Sequence, residues 1–470
     1  MAALRSAGIF LDAPCGGDGK CGKCSVIVDG TEVLACQTTV ENDIEVYTPE
    51  KKDLHVIQSG IETDTHMDPL YPGYLIAIDI GTTSVVCFLL DGINGRELAA
   101  ASSLNPQTAF GADVISRIRE ALAGQLKLEQ DAILKELTKL ILTVCKKGNV
   151  DPVDISMVSV VGNPAMQQLF LGISPENLAS IPFAPVLKEA KAVPCREILP
   201  VCENAKLLIV PDISGYVGAD TLGCVLSTRL YDSDELTLMV DIGTNGEMVL
   251  GNKERMIACS TAAGPALEGA NILFGMRGTD GAIDHVKIEN GRICCSVIGG
   301  EKAKGICGSG LVDAVAVCLN TGLINRRGRI LNTDEIDGQR YIPLCDGVYL
   351  TQDDIRQVQM AKGAICAGIL LMAEQLGKQV KDIRHVLLAG AFGSFMDSDS
   401  ACRIGLLPEE LKDRITTVGN AAGSGAKLLA CDKAEIKRVQ ELRDQIEFLE
   451  LASLKEFSGT FAKSMGFRGV

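Results

Sequence analysis

Two stretches of the chain share one hydrophobic pattern: an apolar, β-rich run, a glycine–threonine turn and a second β-rich run. The first is LIAIDIGTTSVVCFLLDG at 75–92, and the second is LMVDIGTNGEMVLGN at 238–252. Apolar runs on both sides of a glycine turn predict a β-hairpin for each copy. The shared Asp-Ile-Gly-Thr core begins at Asp79 and again at Asp241, 162 residues later. The repeat therefore predicts two similar subdomains.

Helical periodicity fills much of the sequence between and after these hairpins. In 353–373, apolar or small residues recur at three- and four-residue steps, at Ile355, Val358, Ala361, Ile365, Gly368 and Met372. That spacing predicts an amphipathic helix. The stretch 112–146 has a similar pattern, and its basic end is typical of a helix C-terminus. The alternation of β-rich and helical runs from Tyr74 onward predicts an α/β domain.

The first 73 residues differ in character from the rest of the chain. Residues 1–49 hold four cysteines within 22 positions, whereas 50–73 are polar, lack a periodic pattern and end in Pro-Gly. A segment like the second is typical of a linker. The predicted organisation is a small cysteine-rich domain, a linker and two repeated subdomains, at 1–49, 50–73, 74–232 and 233–470.

Composition and charge exclude several classes of function. Sixty acidic residues against 45 basic ones give the 470-residue chain a net charge of -15, which argues against nucleic acid and anionic membranes as partners. The most apolar run is interrupted by Asp79, Thr82 and Thr83, so no membrane span is predicted. The opening MAALRSAGIFLDAPC lacks the pattern of a signal peptide. The 18 cysteines are therefore expected to be reduced, in a cytoplasmic protein.

Four cysteines near the N-terminus, Cys15, Cys21, Cys24 and Cys36, follow the spacing C-x5-C-x2-C-x11-C. Thiolates bind soft metals, and a glycine-rich loop can wrap three of them around one centre while its amides donate to the sulfurs. The loop is one residue longer than that of plant-type [2Fe–2S] ferredoxins. The alternatives are plain buried thiols and a zinc site with four thiolate ligands. Zinc sites usually show two Cys pairs, whereas Cys15 and Cys36 stand alone.

The two repeated turns carry the chemistry of a phosphate site. Glycine lets the backbone approach a phosphate, neighbouring hydroxyls and amides can donate to its oxygens, and a carboxylate can hold Mg²⁺ through water. Two facing turns would clamp ATP between the subdomains. Two ordinary hairpins with glycine turns are the alternative. The candidate residues are Asp79, Gly81, Thr82, Thr83, Asp241, Gly243, Thr244 and Asn245.

The cysteine motif resembles that of a known family. DAPCGGDGKCGKC followed by ACQTTV is similar to the ferredoxin domain of the reductive activators of corrinoid proteins. The resemblance implies a [2Fe–2S] cluster held by the four cysteines. Ferredoxin-like domains normally open with a β-hairpin before the helix expected here at 2–7. The expectation is therefore a trimmed domain, with an exposed sheet edge, or a start that lies upstream of Met1.

The paired turns resemble the phosphate motifs of the acetate/sugar kinase, heat-shock chaperone and actin superfamily. The resemblance implies two ribonuclease-H-like subdomains in a two-lobed ATPase, an α/β and α+β architecture. Further motifs match the corrinoid-activator branch, at 105–118, 161–172, 258–276, 305–316 and 387–397. The implied adenosine turn falls on Gly390, Ala391 and Gly393. Glu268 is implied to bind ribose hydroxyls, with a carboxylate on a helix surface as the alternative.

The resemblance implies ATP-dependent reduction of a corrinoid protein from Co(II) to Co(I), with the electron passing through the cluster. The reduction potential of a plant-type cluster is about -400 mV, and some acceptors have lower potentials. ATP can drive the reaction only if closure of the two ATPase halves binds the corrinoid protein differently in each nucleotide state. The expected partners are the corrinoid protein, an upstream reductant such as reduced ferredoxin, and a second copy in a homodimer. Two alternatives are electron injection into an acyl-CoA dehydratase and a non-redox, chaperone-like ATPase with a zinc-bound N-terminus.

Overall fold

The structure, a computed structural model, describes residues 1–11, 13, 15–17, 19, 22–40, 42–48, 60–61, 66–331, 335–336 and 338–467. Cys21 and most of the predicted linker lie outside these residues. The strands are β1 (Ser25–Val28), β2 (Thr31–Leu34), β3 (Val46–Tyr47), β4 (Tyr74–Ile80), β5 (Ser84–Leu90), β6 (Glu97–Leu104), β7 (Ile155–Gly162), β8 (Lys191–Pro194), β9 (Lys206–Ile209), β10 (Thr237–Ile242), β11 (Gly246–Gly251), β12 (Met256–Thr261), β13 (Ala282–Glu289), β14 (Arg292–Val297), β15 (Gly305–Ile306), β16 (Glu335–Ile336), β17 (Gln339–Pro343), β18 (Tyr349–Thr351), β19 (His385–Ala389), β20 (Ile415–Gly419) and β21 (Ile446–Phe448). The α-helices are α1 (Ala2–Ser6), α2 (Val114–Glu120), α3 (Leu126–Gly148), α4 (Pro164–Leu171), α5 (Glu176–Ala179), α6 (Ala219–Thr228), α7 (Gly308–Asn320), α8 (Gln352–Gln375), α9 (Gly390–Phe395), α10 (Ser398–Ile404), α11 (Ala421–Cys431), α12 (Lys433–Gln445) and α13 (Phe457–Met465).

The chain forms two units. The first contains Met1–Ser227 and Ala421–Asp444, and the second contains Thr228–Asn420 and Gln445–Val470. The predicted second subdomain, 233–470, is thus interrupted by a segment that belongs to the first unit. The reason is packing: α11 lies on β4 and β7 of the first unit. It approaches α6 so closely that a Cβ on Gly425 would lie 2.2 Å from the Gly223 oxygen.

A six-stranded sheet forms the centre of the first unit, in the order β6-β5-β4-β7-β9-β8. The first three strands of this list are antiparallel neighbours, whereas β7 and β9 continue the sheet in parallel with β4. Side chains alternate between the two faces of a strand. Ile76, Ile78 and Ile80 accordingly face one core together with Ile133 and Leu137 of α3.

The second unit repeats this strand order. Its sheet runs β20-β19-β10-β11-β12-β21. The hairpins β10–β11 and β11–β12 are antiparallel, and β19 and β20 extend the sheet in parallel with β10. In each sheet the third, second and first strands of the sheet lie side by side and are followed by two parallel strands, β7 and β9 in the first unit and β19 and β20 in the second. This shared arrangement confirms the predicted pair of ribonuclease-H-like halves. The amphipathic helix predicted at 353–373 is confirmed as α8, which packs on β11 and β12.

The helix predicted at 112–146 is broken in the structure. Between α2 and α3, residues Ala121–Gln125 form a π-helical turn in which Gly124 has φ +95°. A left-handed residue is cheap only for glycine, and it redirects the chain between two helices. The basic end was predicted correctly, because Lys146 and Lys147 lie in the last turn of α3.

The N-terminal residues form a small module of their own. Helix α1 is followed by the glycine-rich loop and then by a three-stranded antiparallel sheet in the order β2-β1-β3. A small core of Ala13, Cys24, Val26 and Ala35 holds the module together. Among the described residues, no helix is long and apolar enough to cross a membrane.

Candidate functional site

The first predicted phosphate turn closes the β4–β5 hairpin. Ile80 pairs with Val85 at the end of the ladder, and the Gly81 amide donates to the Ser84 oxygen at 2.9 Å. A Cβ on Gly81 would lie 2.9 Å from that same oxygen, so the tight turn needs glycine here. Asp79 occupies the penultimate position of β4, where its half-buried side chain lies next to the turn.

Three residues that sequence analysis did not single out hold this turn in place. The Asn105 side chain donates to the Gly81 oxygen at 2.8 Å, and its backbone amide donates to the Thr83 oxygen at 2.9 Å. Asn163, the N-cap of α4, donates to the Thr82 hydroxyl at 3.0 Å. The fully buried Arg117 donates to the Thr82 oxygen at 2.6 Å. All three residues lie in the stretches 105–118 and 161–172, which match the corrinoid-activator family. That match was the only indication of their role in the sequence.

The second predicted turn closes the β10–β11 hairpin and contacts Glu268. The Gly243 amide donates to the Asn245 oxygen at 2.9 Å. The buried Thr244 hydroxyl donates to a Glu268 carboxylate oxygen at 2.6 Å. Glu268 ends a short 3-10 helix, Pro265–Glu268, and its carboxylate therefore lies at the turn. In this arrangement Glu268 orients the Thr244 hydroxyl.

The predicted adenosine turn begins α9, next to Asp241. The parallel pairing of β10 with β19 places Asp241 opposite Ala389, so Gly390 follows at the same sheet edge. Gly390 has φ +80°, and a Cβ there would lie only 2.5 Å from Asp241 Oδ1. Ala391 and Gly393 lie within α9. The fold therefore brings the second Mg²⁺ candidate together with the adenosine candidate.

Gly390→Ala should weaken ATP binding by roughly tenfold or more. Strain at a positive φ costs on the order of 1 kcal/mol, and the new methyl group must also displace the Asp241 carboxylate. Equilibrium binding of a fluorescent ATP analogue measures the effect. Gly377→Ala is the matched control, because it has φ +65° but nothing within 4 Å of its Cβ. Equal affinities in the two variants would contradict the assignment of this turn.

Two further carboxyl groups follow β9 at the carboxyl edge of the first sheet. Asp212 is fully buried and accepts a hydrogen bond from Gln167 Nε2 at 2.9 Å. Burial raises its pKa well above the usual range, and the charge of Asp220 raises it further. Burial also raises the pKa of Asp220, to about 6. A carboxyl pair of this kind can hold one proton and accept another near neutral pH.

Arg117 interacts with a second buried ionisable group, the carboxyl group of Glu129. Glu129 is fully buried, and neither of its carboxylate oxygens has a hydrogen-bond partner among the described residues. Burial raises the pKa of Glu129 to about 8, against the opposing charge of Arg117. Glu120 raises this pKa further and Arg5 lowers it. At neutral pH the carboxyl group of Glu129 therefore retains its proton in most molecules.

Glu129→Gln should increase the free energy of unfolding relative to that of the native protein, and this gain should grow as the pH rises. The folded pKa of Glu129 exceeds the ordinary value, so the folded protein holds an extra proton between about pH 4.5 and 8. Stability from this group is full below that window and is lost as the pH rises through it. Between pH 6 and 8 the variant should gain about 2–3 kcal/mol in free energy of unfolding relative to the native protein.

Denaturant titrations at several pH values measure this difference. Asp131→Asn, an exposed change on the same helix that breaks a 2.7 Å pair with Lys127, is the control and should leave the pH dependence unchanged. A Glu129→Gln profile parallel to that of the native protein would show that Glu129 titrates normally.

Three cysteines of the quartet, Cys15, Cys24 and Cys36, lie in the described part of the N-terminal module. Gly16, Gly17, Gly19 and Gly22 all have positive φ, between +65° and +109°, which lets the loop wrap tightly. Cys24 is buried, and a Cβ on Gly17 would lie 3.9 Å from the Cys36 Cβ. Cys21 belongs to the same loop but lies outside the described residues.

The other two described thiols act on the pKa of Cys36. Burial raises the pKa of Cys36, as do a hydrogen bond with Cys24 and the charges of Cys24 and Cys15, while a hydrogen bond from the Gly19 backbone opposes them. An amide that donates to sulfur is a feature of iron–sulfur loops. Within the described part of the chain, where one of the four cysteines is missing, no group of three or more side chains is placed to hold a metal ion. The donor set and the glycine loop fit a [2Fe–2S] cluster.

The two central sheets share an arrangement of three antiparallel and two parallel strands, and each has an Asp-Ile-Gly-Thr turn in its first hairpin. These features define a two-lobed ATPase of the acetate/sugar kinase, heat-shock chaperone and actin class. Residues 235–469 match the family description "C-terminal domain of RACo the ASKHA domain", and residues 74–233 match "RACo middle region". The chain belongs to the RACo family, the reductive activators of corrinoid proteins.

Individual relatives agree with this family. The chain is 34% identical over 564 aligned residues to the "Corrinoid activation enzyme RamQ" of Eubacterium limosum, covering 98% of this chain and 95% of the relative. It is 26% identical to a "[Co(II) methylated amine-specific corrinoid protein] reductase" of Methanosarcina barkeri, over 84% and 77% of the two chains. A solved "Reductive activator for corrinoid,iron-sulfur protein" superposes with a TM-score of 0.77 at 29% identity, over 99% and 95% of the two chains.

Proposed function

We propose that this protein uses ATP to reduce a Co(II) corrinoid protein to Co(I), with the electron passing through a [2Fe–2S] cluster. The observation that carries the proposal is the presence, in one chain of this family, of a glycine-rich cysteine loop and two Asp-Ile-Gly-Thr hairpin turns. The relatives support the acceptor, because their names specify corrinoid activation and Co(II) corrinoid protein reduction.

The phosphate turns are proposed to bind Mg²⁺–ATP. Asp79 and Asp241 would hold Mg²⁺ through water, since this ion binds few carboxylates and keeps its own water ligands. The amides and hydroxyls of the two turns would donate to the phosphates. The turn at α9 would contact adenosine, and Glu268 would contact ribose. The residues are Asp79, Gly81, Thr82, Thr83, Asp241, Gly243, Thr244, Asn245, Glu268, Gly390, Ala391 and Gly393.

The cluster ligands are proposed to be Cys15, Cys21, Cys24 and Cys36. When bound, a plant-type cluster supplies a one-electron centre with a reduction potential of about -400 mV. The chain excludes water from one side of this loop, because Cys24 packs into the core of the N-terminal module. The Gly19 amide, which opposes protonation of Cys36, favours its thiolate form.

ATP is needed because reduction to Co(I) is unfavourable from a donor at this potential. A nucleotide can shift that equilibrium only if the protein binds the corrinoid partner differently in different nucleotide states. We therefore propose that turnover of ATP changes the affinity of this protein for the Co(II) form of its partner. We also predict an upstream reductant such as reduced ferredoxin, a cytoplasmic location and a homodimer.

The first test is the metal content and the spectra of anaerobically purified protein. We expect two irons per chain and a reduced-state [2Fe–2S] electron paramagnetic resonance signal. The second test mixes this protein with a Co(II) corrinoid protein and a chemical reductant, and follows the cobalt spectrum with and without Mg²⁺–ATP. Co(I) should form only with ATP. Zinc in place of iron, or equal Co(I) formation without nucleotide, would overturn the proposal.

A further inference from the structure

Arg5 of the first helix joins the cysteine loop to the ATPase part of the first unit. The residue is nearly buried, with 8% of its surface exposed. One terminal nitrogen of its side chain donates to the Gly16 oxygen at 2.9 Å and also to the Ala109 oxygen. The guanidinium carbon lies 4.6 Å from the centre of the Phe110 ring. Arg5 also pairs with Glu120 at 3.6 Å. One side chain thus holds the backbone beside Cys15 and a carbonyl of the turn Pro106–Phe110.

Neighbouring contacts make this a docked surface. Phe10 packs on Phe110 with ring centres 6.0 Å apart. Gly16 lies so close to the same turn that a Cβ on it would be 3.1 Å from the Phe110 oxygen. At the periphery, Lys135 Nζ donates to the Gly8 oxygen at 3.4 Å. The helix and the cysteine loop of the N-terminal module therefore rest directly on the 106–110 turn.

The other end of this turn is tied to the first phosphate turn. Its N-cap, Asn105, accepts from the Gln107 amide at 2.9 Å while it donates to the Gly81 oxygen at 2.8 Å. Arg117 donates to the Gly111 oxygen, just after the 106–110 turn, at 3.0 Å and to the Thr82 oxygen at 2.6 Å. Both ends of the turn are thus linked to backbone carbonyls of the proposed phosphate site, the first directly through the Asn105 side chain and the second through Arg117, which donates to both oxygens.

A shared buried carboxyl group lies among these groups. The buried carboxyl of Glu129 interacts with both arginines, and its backbone oxygen accepts from the Gln107 side chain at 3.1 Å. Hydrogen bonds and charges in a buried, low-dielectric site act more strongly than they would in water. A displacement of either arginine therefore changes the environment of the other through Glu129.

We propose that Arg5 is a positioning residue that couples the nucleotide state of the Gly81–Thr83 turn to the position of the cysteine loop, through the Pro106–Phe110 turn. The inference rests on the proposed binding of ATP at that phosphate turn. Coupling between two sites is reciprocal, so the redox state of the cysteine loop must change nucleotide affinity by the same factor. A tenfold difference in affinity corresponds to about 59 mV for a one-electron couple.

Hydrogen–deuterium exchange of the anaerobic holoprotein, with and without Mg²⁺ and a non-hydrolysable ATP analogue, tests the coupling. The analogue should slow exchange in the peptide 1–17 by about threefold or more, because ordering the phosphate turn tightens the contacts that hold this loop. Arg5→Met should lose the response. Lys135→Met should keep it, because it removes a docking contact of the same module that does not touch the 106–110 turn.

A second variant tests the opposite end of the path without altering the N-terminal module. Asn105→Asp keeps the oxygen that caps the 106–110 turn but cannot donate to Gly81. At saturating analogue it should also lose protection of the peptide 1–17. Redox titration by electron paramagnetic resonance provides the second readout, because the analogue should shift the midpoint potential in native protein but not in Arg5→Met.

The outcomes separate this inference from the proposed function. If the analogue binds native protein but changes neither exchange nor potential, the coupling is refuted while ATP binding stands. A response that persists in Arg5→Met and Asn105→Asp would equally refute the path. If the analogue does not bind at all, both the proposed function and the coupling fail.

Discussion

Cys24→Ser should remove cobalt reduction and leave ATP hydrolysis intact. Cys24 is 1% exposed and packs with Ala13, Val26 and Ala35, so serine changes the volume little but replaces a thiolate donor with a hydroxyl. A hydroxyl is a poor ligand for an iron–sulfur cluster, so iron should be lost. Because Cys24 packs in the core of the N-terminal module and not in the phosphate turns, ATP hydrolysis should persist, although nucleotide affinity can shift through the coupling proposed above. Reduction of the corrinoid protein should fall by roughly two orders of magnitude or more.

Iron analysis and the two activity assays measure the result on one preparation. Cys145→Ser is the matched control, because that thiol is also 1% exposed and lies in α3 of the same unit, outside the quartet. It should keep both iron and cobalt reduction. Full iron content in Cys24→Ser would mean that Cys24 is a structural thiol and that the cluster assignment is wrong.

Asp241→Asn should lower the rate of ATP hydrolysis by roughly 10²–10³-fold. Asparagine has the shape of aspartate but no charge, so it holds the water ligands of Mg²⁺ more weakly. The structure supports the choice of this residue, because Asp241 is the penultimate residue of β10 and its carboxylate lies next to the adenosine candidate Gly390. Cobalt reduction should fall in parallel, while the iron content stays unchanged.

Steady-state ATP hydrolysis at several Mg²⁺ concentrations gives the measurement. The control is Asp399→Asn, which removes an exposed carboxylate of the same unit that pairs with Lys412 at 3.0 Å. This control should hydrolyse ATP at the native rate. A native rate in Asp241→Asn at saturating Mg²⁺ would exclude Asp241 from the metal site.

The hairpins and the longest amphipathic helix could be predicted from the sequence because their causes are local. An apolar run on each side of a glycine turn pairs with its neighbour, as β4–β5 and β10–β11 do. The three- and four-residue spacing of 353–373 likewise gives one apolar face, and α8 buries that face. The break at Gly124 was missed, because the hydrophobic spacing continues through it and only the backbone conformation reveals it.

The support of the candidate site could not be predicted from local pattern. Asn105 and Arg117 contact the Gly81–Thr83 turn across 24 and 35 sequence positions, and Asn163 does so across 81. Nothing in the spacing of these residues indicates a shared site. Asp212 and Asp220 were missed for the same reason, since burial, which only the folded structure sets, is the largest cause of the raised pKa of each.

The sequence by itself determined the repeated Asp-Ile-Gly-Thr hairpins, the cysteine quartet and the class of ATPase, because each depends on residue types at short spacing. Only the tertiary structure decided that 421–444 belongs to the first unit and that Arg5 bridges Gly16 to Ala109, 104 positions away. The physical reason is that burial of a charged or close-packed group depends on which distant segments surround it. A sequence pattern specifies a strand or a turn, whereas its neighbours are chosen by packing over the whole unit.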